Sequence, residues 1–519
     1  MRAGGGVRRA ATRGVAIGCV VLAVGCASGP SVAGPGVGTS IDAPGTTVPI
    51  EGLPAELTEH GSDWVLPGRD YANSRATFDS DIAAANVATL EPAWEVELGG
   101  SLSTVPLIVG DTVYAQDGRG VVVAVDRTDG TVRWTSEPAG FNIGPFGVAV
   151  ADGKVFATGG STGVVALDAA TGAQAWRTEL SATPTTGIDI QPTVFDGIVL
   201  ASTVPVSIGG IYTPGDHGVL YALDAATGAV RWEFDTVEEG LWGHPEVNSG
   251  GGSWYPPSID PVARVVYWGI ANPAPFPGTD EYPNGSSRPG DNLYTDSAVA
   301  IDLDTGELEW FHQVHPHDLF DRDLVHTMRV ALPEGDLVVT TGKGGVVVGL
   351  DPDSGEPRWT TPVGKHQNDD LTELTSPTQV FPGTYGGVLT PPANADGTVY
   401  AAVINAPSTL DPVTKEYIGS DLGVEDGEVV AIDATSGEIE WSTKVPGDPL
   451  GGVVVVNDLV LTALLSGEIV GLHRTTGDIV WRTEAPGGIN GWMSVAGDLV
   501  VVPVGNAKPP RLVAYRLPA

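Results

Sequence analysis

A chain of 519 residues with 71 Gly, 41 Pro and only 3 Met has room for several ordinary domains or for one large repeat architecture. Its Val-, Thr- and Gly-rich make-up favours many short strands joined by tight turns. The formal net charge of −38 argues against a nucleic-acid partner, because phosphate binding needs clustered Lys and Arg to displace counterions, and it suits a well-solvated secreted protein.

In chain order, Arg2, Arg8, Arg9 and Arg13 come first, ahead of an apolar run from Val15 to Val24 that is short for a membrane span. The run ends in Ala23-Val24-Gly25-Cys26, which resembles the lipobox of bacterial lipoproteins. The resemblance implies a signal peptide over 1–25, acylation of Cys26, and residence in the cell envelope outside the cytoplasm. The lipid would be the only membrane attachment, and a soluble secreted form is the alternative. Cys19 would leave with the signal, so the mature chain would carry no disulfide and no Cys-x-x-Cys-His haem attachment. Residues 26–60 are mostly Gly, Pro, Ser, Thr and Ala and read as a flexible tether, with the folded domain over 61–519.

From Ala124 onward the sequence repeats. The pattern Asp-x-x-Thr-Gly followed by a Trp four residues later ends at Trp134, Trp176, Trp232, Trp310, Trp359, Trp441 and Trp481, with small variations. Trp94 has the strand without the preceding turn, whereas the carboxyl end, "RLVAYRLPA", has the first half of a unit without its Trp. Each unit reads as four strands: the Asp and Gly build a hairpin turn, and the Trp marks the strand after it. Eight such units predict an all-β, eight-bladed β-propeller whose ring is closed by the two termini, with each Trp packed between neighbouring blades.

The intervals from Trp232 to Trp310 and from Trp359 to Trp441 are the longest, so those two units carry insertions. Loops at one end of a propeller are where ligand sites are built. The first insertion contains "ANPAP" at 271–275 and "RPGDNLYT" at 288–295, and is followed by "HPHDLFDRD" at 315–323.

These motifs resemble those of the quinoprotein alcohol dehydrogenases, which use pyrroloquinoline quinone (PQQ), and of polyvinyl-alcohol dehydrogenase-like proteins. "DWVLPGRDYANSRAT" at 63–77 and "APGGINGWMSVAGDLVVVPVG" at 485–505 are similar to the family's opening segment and last blade. The repeat itself is similar to the PQQ-type repeat. The resemblance implies that Trp254 is the aromatic floor for the quinone and that Lys343 reaches the quinone oxygens. It further implies that Asn272 and Asp321 bind calcium, with Asp321 also the catalytic base. Asp323 falls where lanthanide-using members carry an extra carboxylate. A hard cation, a carboxylate base and a planar quinone are the parts that oxidation of an alcohol requires. The substrate would be a small or polymeric alcohol, and electrons would leave to an external acceptor.

The sequence also departs from the family. Thr213 stands where a calcium-binding Glu is expected, with Asp216 nearby. Phe146 stands in place of a cofactor-binding Arg, Ser103 in place of an early Glu, Leu389 in place of an Asn, and Phe320 in place of a Trp. The adjacent-Cys pair is absent. His312, His315, His317 and His326 have spacing that can suggest a transition-metal site, although His317 matches a family position and strand alternation explains much of the rest. Two readings stand: a quinoprotein dehydrogenase, or a propeller of the same design that binds or scaffolds without PQQ, as the similar-repeat lipoprotein of outer-membrane protein assembly does.

Overall fold

The computed structural model describes residues 40–43, 46–142, 144–181, 186–188, 190–208, 211–412, 418–420, 422–423 and 425–518. Cys26 and the signal over 1–25 lie outside the described residues. Eight antiparallel sheets follow one another around a ring, in chain order over 107–135, 148–179, 193–235, 258–313, 326–362, 393–445 and 453–484, with the eighth combining 494–516 and an early strand. That early strand is Glu91–Glu97, whose partner is Arg511–Arg516. The Arg511 guanidinium adds ion pairs to Glu95 at 3.0 Å and Glu97 at 3.5 Å. The chain is an eight-bladed β-propeller of four-stranded blades closed by its own ends, as the repeats imply. Ala76–Thr77 adds a short parallel fifth strand beside Val455–Val456 in the seventh blade.

The repeat explains both the blade and the joint between blades. In the fourth blade, Asp302 Oδ1 accepts hydrogen bonds from the Thr305 N–H at 2.8 Å and the Thr305 hydroxyl at 2.9 Å, while Gly306 adopts φ +77°. A glycine is needed there twice over. A side chain would be strained at that φ, and a Cβ would fall 2.7 Å from the Trp232 ring of the preceding blade. The Trp232 Nε1–H in turn donates to Leu303 O, inside the same turn, at 2.8 Å. The same indole-on-turn contact recurs for Trp94 on Gly130, Trp134 on Gly172, Trp176 on Gly228, Trp310 on Gly355, Trp359 on Gly437 and Trp441 on Gly477. Trp481 lies on the outer strand of the seventh blade, and the eighth blade's outer strand, Glu91–Glu97, has no such turn before it. Inner strands such as Ser297–Asp302 are buried on both faces, whereas the Trp-bearing outer strands alternate between solvent and the neighbouring blade.

The folded body begins earlier than the sequence suggests. Ala55–Glu59 forms a short helix inside the stretch expected to be tether, with Leu57 fully buried. The Glu56 carboxylate accepts from the backbone N–H groups of Asp152 and Gly153, both at 2.7 Å. The composition is dominated by Gly and Pro farther upstream, which hides the apolar anchors Ile50, Leu53 and Leu57. Among the described residues no helix is long and apolar enough to cross a membrane.

Because the turn glycine is pressed by an indole, Gly306→Ala should destabilise the protein by about 2 kcal/mol or more in denaturant unfolding. Glycine-to-alanine at the unconfined Gly153, where a Cβ meets nothing within 4 Å, should cost less. Equal losses at the two positions would show that the contact between blades contributes nothing.

Candidate functional site

The two insertions rise on one end of the ring and enclose a cavity of about 1100 Å³. The connection into the fourth blade supplies Trp254 and Tyr255, and the insertion within that blade supplies the proline run Pro275-Phe276-Pro277; the connection into the sixth blade supplies Tyr385, the insertion within it Leu410, and the connection into the last blade Trp492. The carboxylates Asp321 and Asp323 and the ammonium of Lys343 also line this cavity.

Two loops are braced against each other to hold these groups. Arg288, in "RPGDN", is fully buried; its Nη2 donates to Pro275 O at 3.1 Å and to Asp318 O at 2.6 Å, and its Nη1 donates to Asn292 Oδ1 at 2.6 Å. The guanidinium thus clamps the proline run to the loop that carries Asp321. Burial lowers it to about 10, with Asp318 and Asp296 opposing. Asp318 organises the same loop from inside, accepting from the Phe320 N–H at 2.7 Å and the Arg322 N–H at 2.8 Å. Phe320 packs with Leu374 and Val380 of the connection into the sixth blade and with Leu410 of its insertion, which fastens the Asp321 loop to them.

Asp321 and Asp323 have φ of +64° and +28°, a region that residues other than glycine rarely occupy. Strain of this kind persists only where the surroundings over-determine it, and it collects at functional sites. Here the reward is a shared cation. Lys343 Nζ lies 3.0 Å from Asp321 Oδ1 and 2.5 Å from Asp323 Oδ2. Asp323 is also held from behind by the Asn272 backbone N–H, at 2.8 Å from its Oδ1. Burial pushes the Asp321 carboxyl well above the usual carboxylate range, against the pull of the lysine. Burial also opposes the charge on Lys343, but Asp321 and Asp323 outweigh it and hold the ammonium well above its ordinary value.

The residues expected from the resemblance are therefore largely gathered, with one difference of arrangement. Trp254, Lys343, Asp321 and Asp323 share the cavity. Asn272 is 5% exposed and is absent from the cavity lining; its side-chain amide donates to Pro273 O at 3.0 Å. The quinone fits. Trp254 is half-buried on the cavity wall with its Nε1 buried and unpartnered, and both amide atoms of the buried Asn142 on the same wall are likewise unpartnered. A calcium or lanthanide ion does not fit the arrangement seen. Lys343 already stands on both carboxylates, and among the described residues no group of three or more His, Cys, Asp or Glu is placed to hold a metal.

Neither Thr213 nor Asp216 lines the cavity, whereas Tyr212 does. Burial and then the charges of Asp321 and Asp323 keep its phenol protonated, well above the ordinary range. Ser103, Phe146 and Leu389 line the cavity where the family's polar groups were expected. His317 faces the carbonyls of Gly290 and Asn284, at 3.3 Å each, and His326 faces Leu389 O at 3.2 Å. Tyr212, Asn142 and Arg288 carried no signal in the sequence beyond their types, since their roles depend on which segments fold against them.

Residues 181–399 match the family described as glucose/ethanol/alcohol dehydrogenase, beta-propeller domain. Residues 75–203, 119–241 and 425–515 match the family described as outer membrane protein assembly factor BamB. A quinohemoprotein alcohol dehydrogenase of Comamonas testosteroni is 28% identical over 403 residues, 67% of this chain and 55% of that protein. A polyvinylalcohol dehydrogenase of Pseudomonas sp is 26% identical over 371 residues, 61% of this chain and 54% of that protein. The chain spans about half the length of these curated relatives. Among solved structures, a europium-containing methanol dehydrogenase superposes with a TM-score of 0.75 at 22% identity, over 88% of this chain and 98% of that one, which shows the shared fold. The chain thus carries a PQQ-type β-propeller match over residues 181–399 and is similar to quinoprotein alcohol dehydrogenases and to polyvinyl alcohol dehydrogenases.

Proposed function

We propose that this protein binds PQQ in the large cavity and oxidises an alcohol, either a small molecule or a hydroxyl-bearing polymer, delivering the electrons to an external acceptor. The observation that carries this reading is the Asp321–Lys343–Asp323 cluster in the wall of the cavity that Trp254 lines. When bound, the quinone supplies the two-electron acceptor for the hydride of the alcohol. Trp254 gives the planar ring a face to lie on. Asp321 takes the hydroxyl proton. Its raised affinity for protons suits a base, and the adjacent ammonium keeps enough of it ionised to act. Lys343 also brings positive charge next to the reacting carboxylate, the part that calcium or a lanthanide was expected to play. The cavity exceeds what one planar cofactor of ordinary ligand size fills, roughly 300 Å³ or somewhat more, and leaves room for substrate beside it.

The finer placement remains part of this proposal: acylation of Cys26, anchoring in the cell envelope, and a tether leading to the propeller. The match to the assembly-factor family favours a second reading, a binding propeller without redox chemistry, which holds if PQQ does not bind.

Quenching of tryptophan fluorescence by added PQQ, with and without a chelator, tests the first reading together with dye-linked alcohol oxidation. Saturable quenching that survives the chelator, and turnover that Asp321→Asn lowers by about a thousandfold or more, are expected. Absence of binding with PQQ alone, and with calcium or lanthanum added, would sink it.

In the active protein, kcat/KM should rise with pH through a limb lying above the ordinary carboxylate range, since only ionised Asp321 accepts the proton. Lys343→Met removes the charge that favours ionisation, so the limb should move to still higher pH in a pH–rate profile. Movement to lower pH would contradict the assignment.

Arg288→Met should cut kcat about tenfold to a hundredfold by releasing the loop that carries Asp321, with Arg288→Lys recovering part of the loss. Unchanged kcat in Arg288→Met would show that the clamp does not position the base.

A further inference from the structure

We propose that the phenol of Tyr212 donates a hydrogen bond to a carbonyl oxygen of the quinone bound in the large cavity, and so polarises that carbonyl where a metal ion was expected to. The assignment rests on the dehydrogenase reading above and adds one residue to it. Lys343, the residue expected to reach the quinone oxygens, already stands on Asp321 at 3.0 Å and on Asp323 at 2.5 Å. The quinone oxygens therefore need another donor. Several hydroxyls on the cavity wall are already committed: Ser103 donates to Gly144 O at 2.7 Å, Tyr255 to Leu389 O at 2.7 Å and Thr390 to Pro449 O at 3.4 Å. The Tyr212 hydroxyl differs from these. Among the described residues it has no hydrogen-bond partner, and it is not closed off, because it remains accessible on a half-buried side chain of the cavity wall.

The phenol also lies within electrostatic reach of the charge cluster. Asp321 and Asp323 add to burial in keeping it protonated, Lys343 opposes them, and the phenol in turn favours the Lys343 ammonium. Tyr255 feels Asp323 and Lys343 as well, but its hydroxyl is spent on Leu389 O. Held protonated, Tyr212 is a donor and not a base, which leaves the proton of the alcohol to Asp321. A neutral donor suits this place. Two carboxylates and one ammonium already leave the cluster net negative, and a phenol adds a hydrogen bond without a further ion to desolvate. The fold fixes where the phenol sits: a short hairpin pairs Ser207 with Tyr212, and the Tyr212 ring meets that of Phe276 at 6.0 Å, in the proline run that Arg288 clamps. A donor positioned in advance needs no reorganisation, and its hydrogen bond strengthens as negative charge builds on the oxygen it meets.

Tyr212→Phe removes only the hydroxyl and keeps the ring on Phe276. With PQQ bound to the full-length protein, infrared difference spectra should place the quinone carbonyl stretch at higher frequency in the variant than in wild type, because a hydrogen bond weakens the C=O bond. The Kd for PQQ, read from tryptophan quenching, should rise about threefold to tenfold, as expected for one hydrogen bond. Turnover should fall about a hundredfold. An unchanged stretch and Kd overturn the proposal. A fall in kcat with the stretch and Kd unchanged also overturns it, by assigning the phenol to the alcohol instead. A fluorinated tyrosine at position 212 is a stronger donor and should lower the stretch below the wild-type value; that protein decides the question if Tyr212→Phe does not fold. Should wild type bind no PQQ, the dehydrogenase reading fails and takes this inference with it. Binding by wild type with a stretch indifferent to position 212 sinks the role of Tyr212 alone.

Discussion

The ring rests on one contact, made seven times: an indole from one blade lying on the turn glycine of the next, with its N–H on a carbonyl of that same turn. It fixes the spacing of blades at the turn, a point where the backbone can go nowhere else. The contact also explains why Asp, Thr, Gly and Trp recur together. Asp and Thr set the turn, Gly admits the indole, and the Trp fills the gap. Within each blade the inner strands need only be apolar and β-branched, and their sequences vary accordingly.

A rigid ring lets two irregular insertions be precise. The proline run and the Asp321 loop have little regular structure of their own, yet Arg288 joins them with hydrogen bonds from beneath, and Phe320 fastens the loop to the other insertion. Only such a frame can keep two aspartates at positive φ beside one lysine. The result is a compact charge cluster, two carboxylates and one ammonium, in an otherwise largely aromatic and apolar cavity.

The ring was legible in the sequence because a repeat multiplies a weak local signal until its period is plain, and the half-units at the two ends announced the closing strand. Trp254, Asp321, Asp323 and Lys343 were legible through their resemblance to a family, and the structure brings them to one cavity. What escaped was non-local. Arg288 reads as an ordinary loop arginine until Pro275 and Asp318 fold onto it. Tyr212 stands one residue before the position where an acid was expected, and only the fold shows which of the two side chains enters the cavity. Leu57 is one apolar residue in a Gly- and Pro-rich stretch, too little for composition to register but enough to dock a helical turn. The placing of Asn272 follows the same logic, since its backbone rather than its amide is what meets Asp323.

The closing strand has a temporal meaning as well as a geometric one. Glu91–Glu97 is made long before Arg511–Arg516, so the early strand must wait while every blade between them is translated. The entropic penalty for that long loop grows only slowly with its length. The delay does not shrink in the same way, and throughout it a pairing edge stays open to other chains. The ring therefore becomes safe from edge-to-edge association all at once, when its last strand arrives.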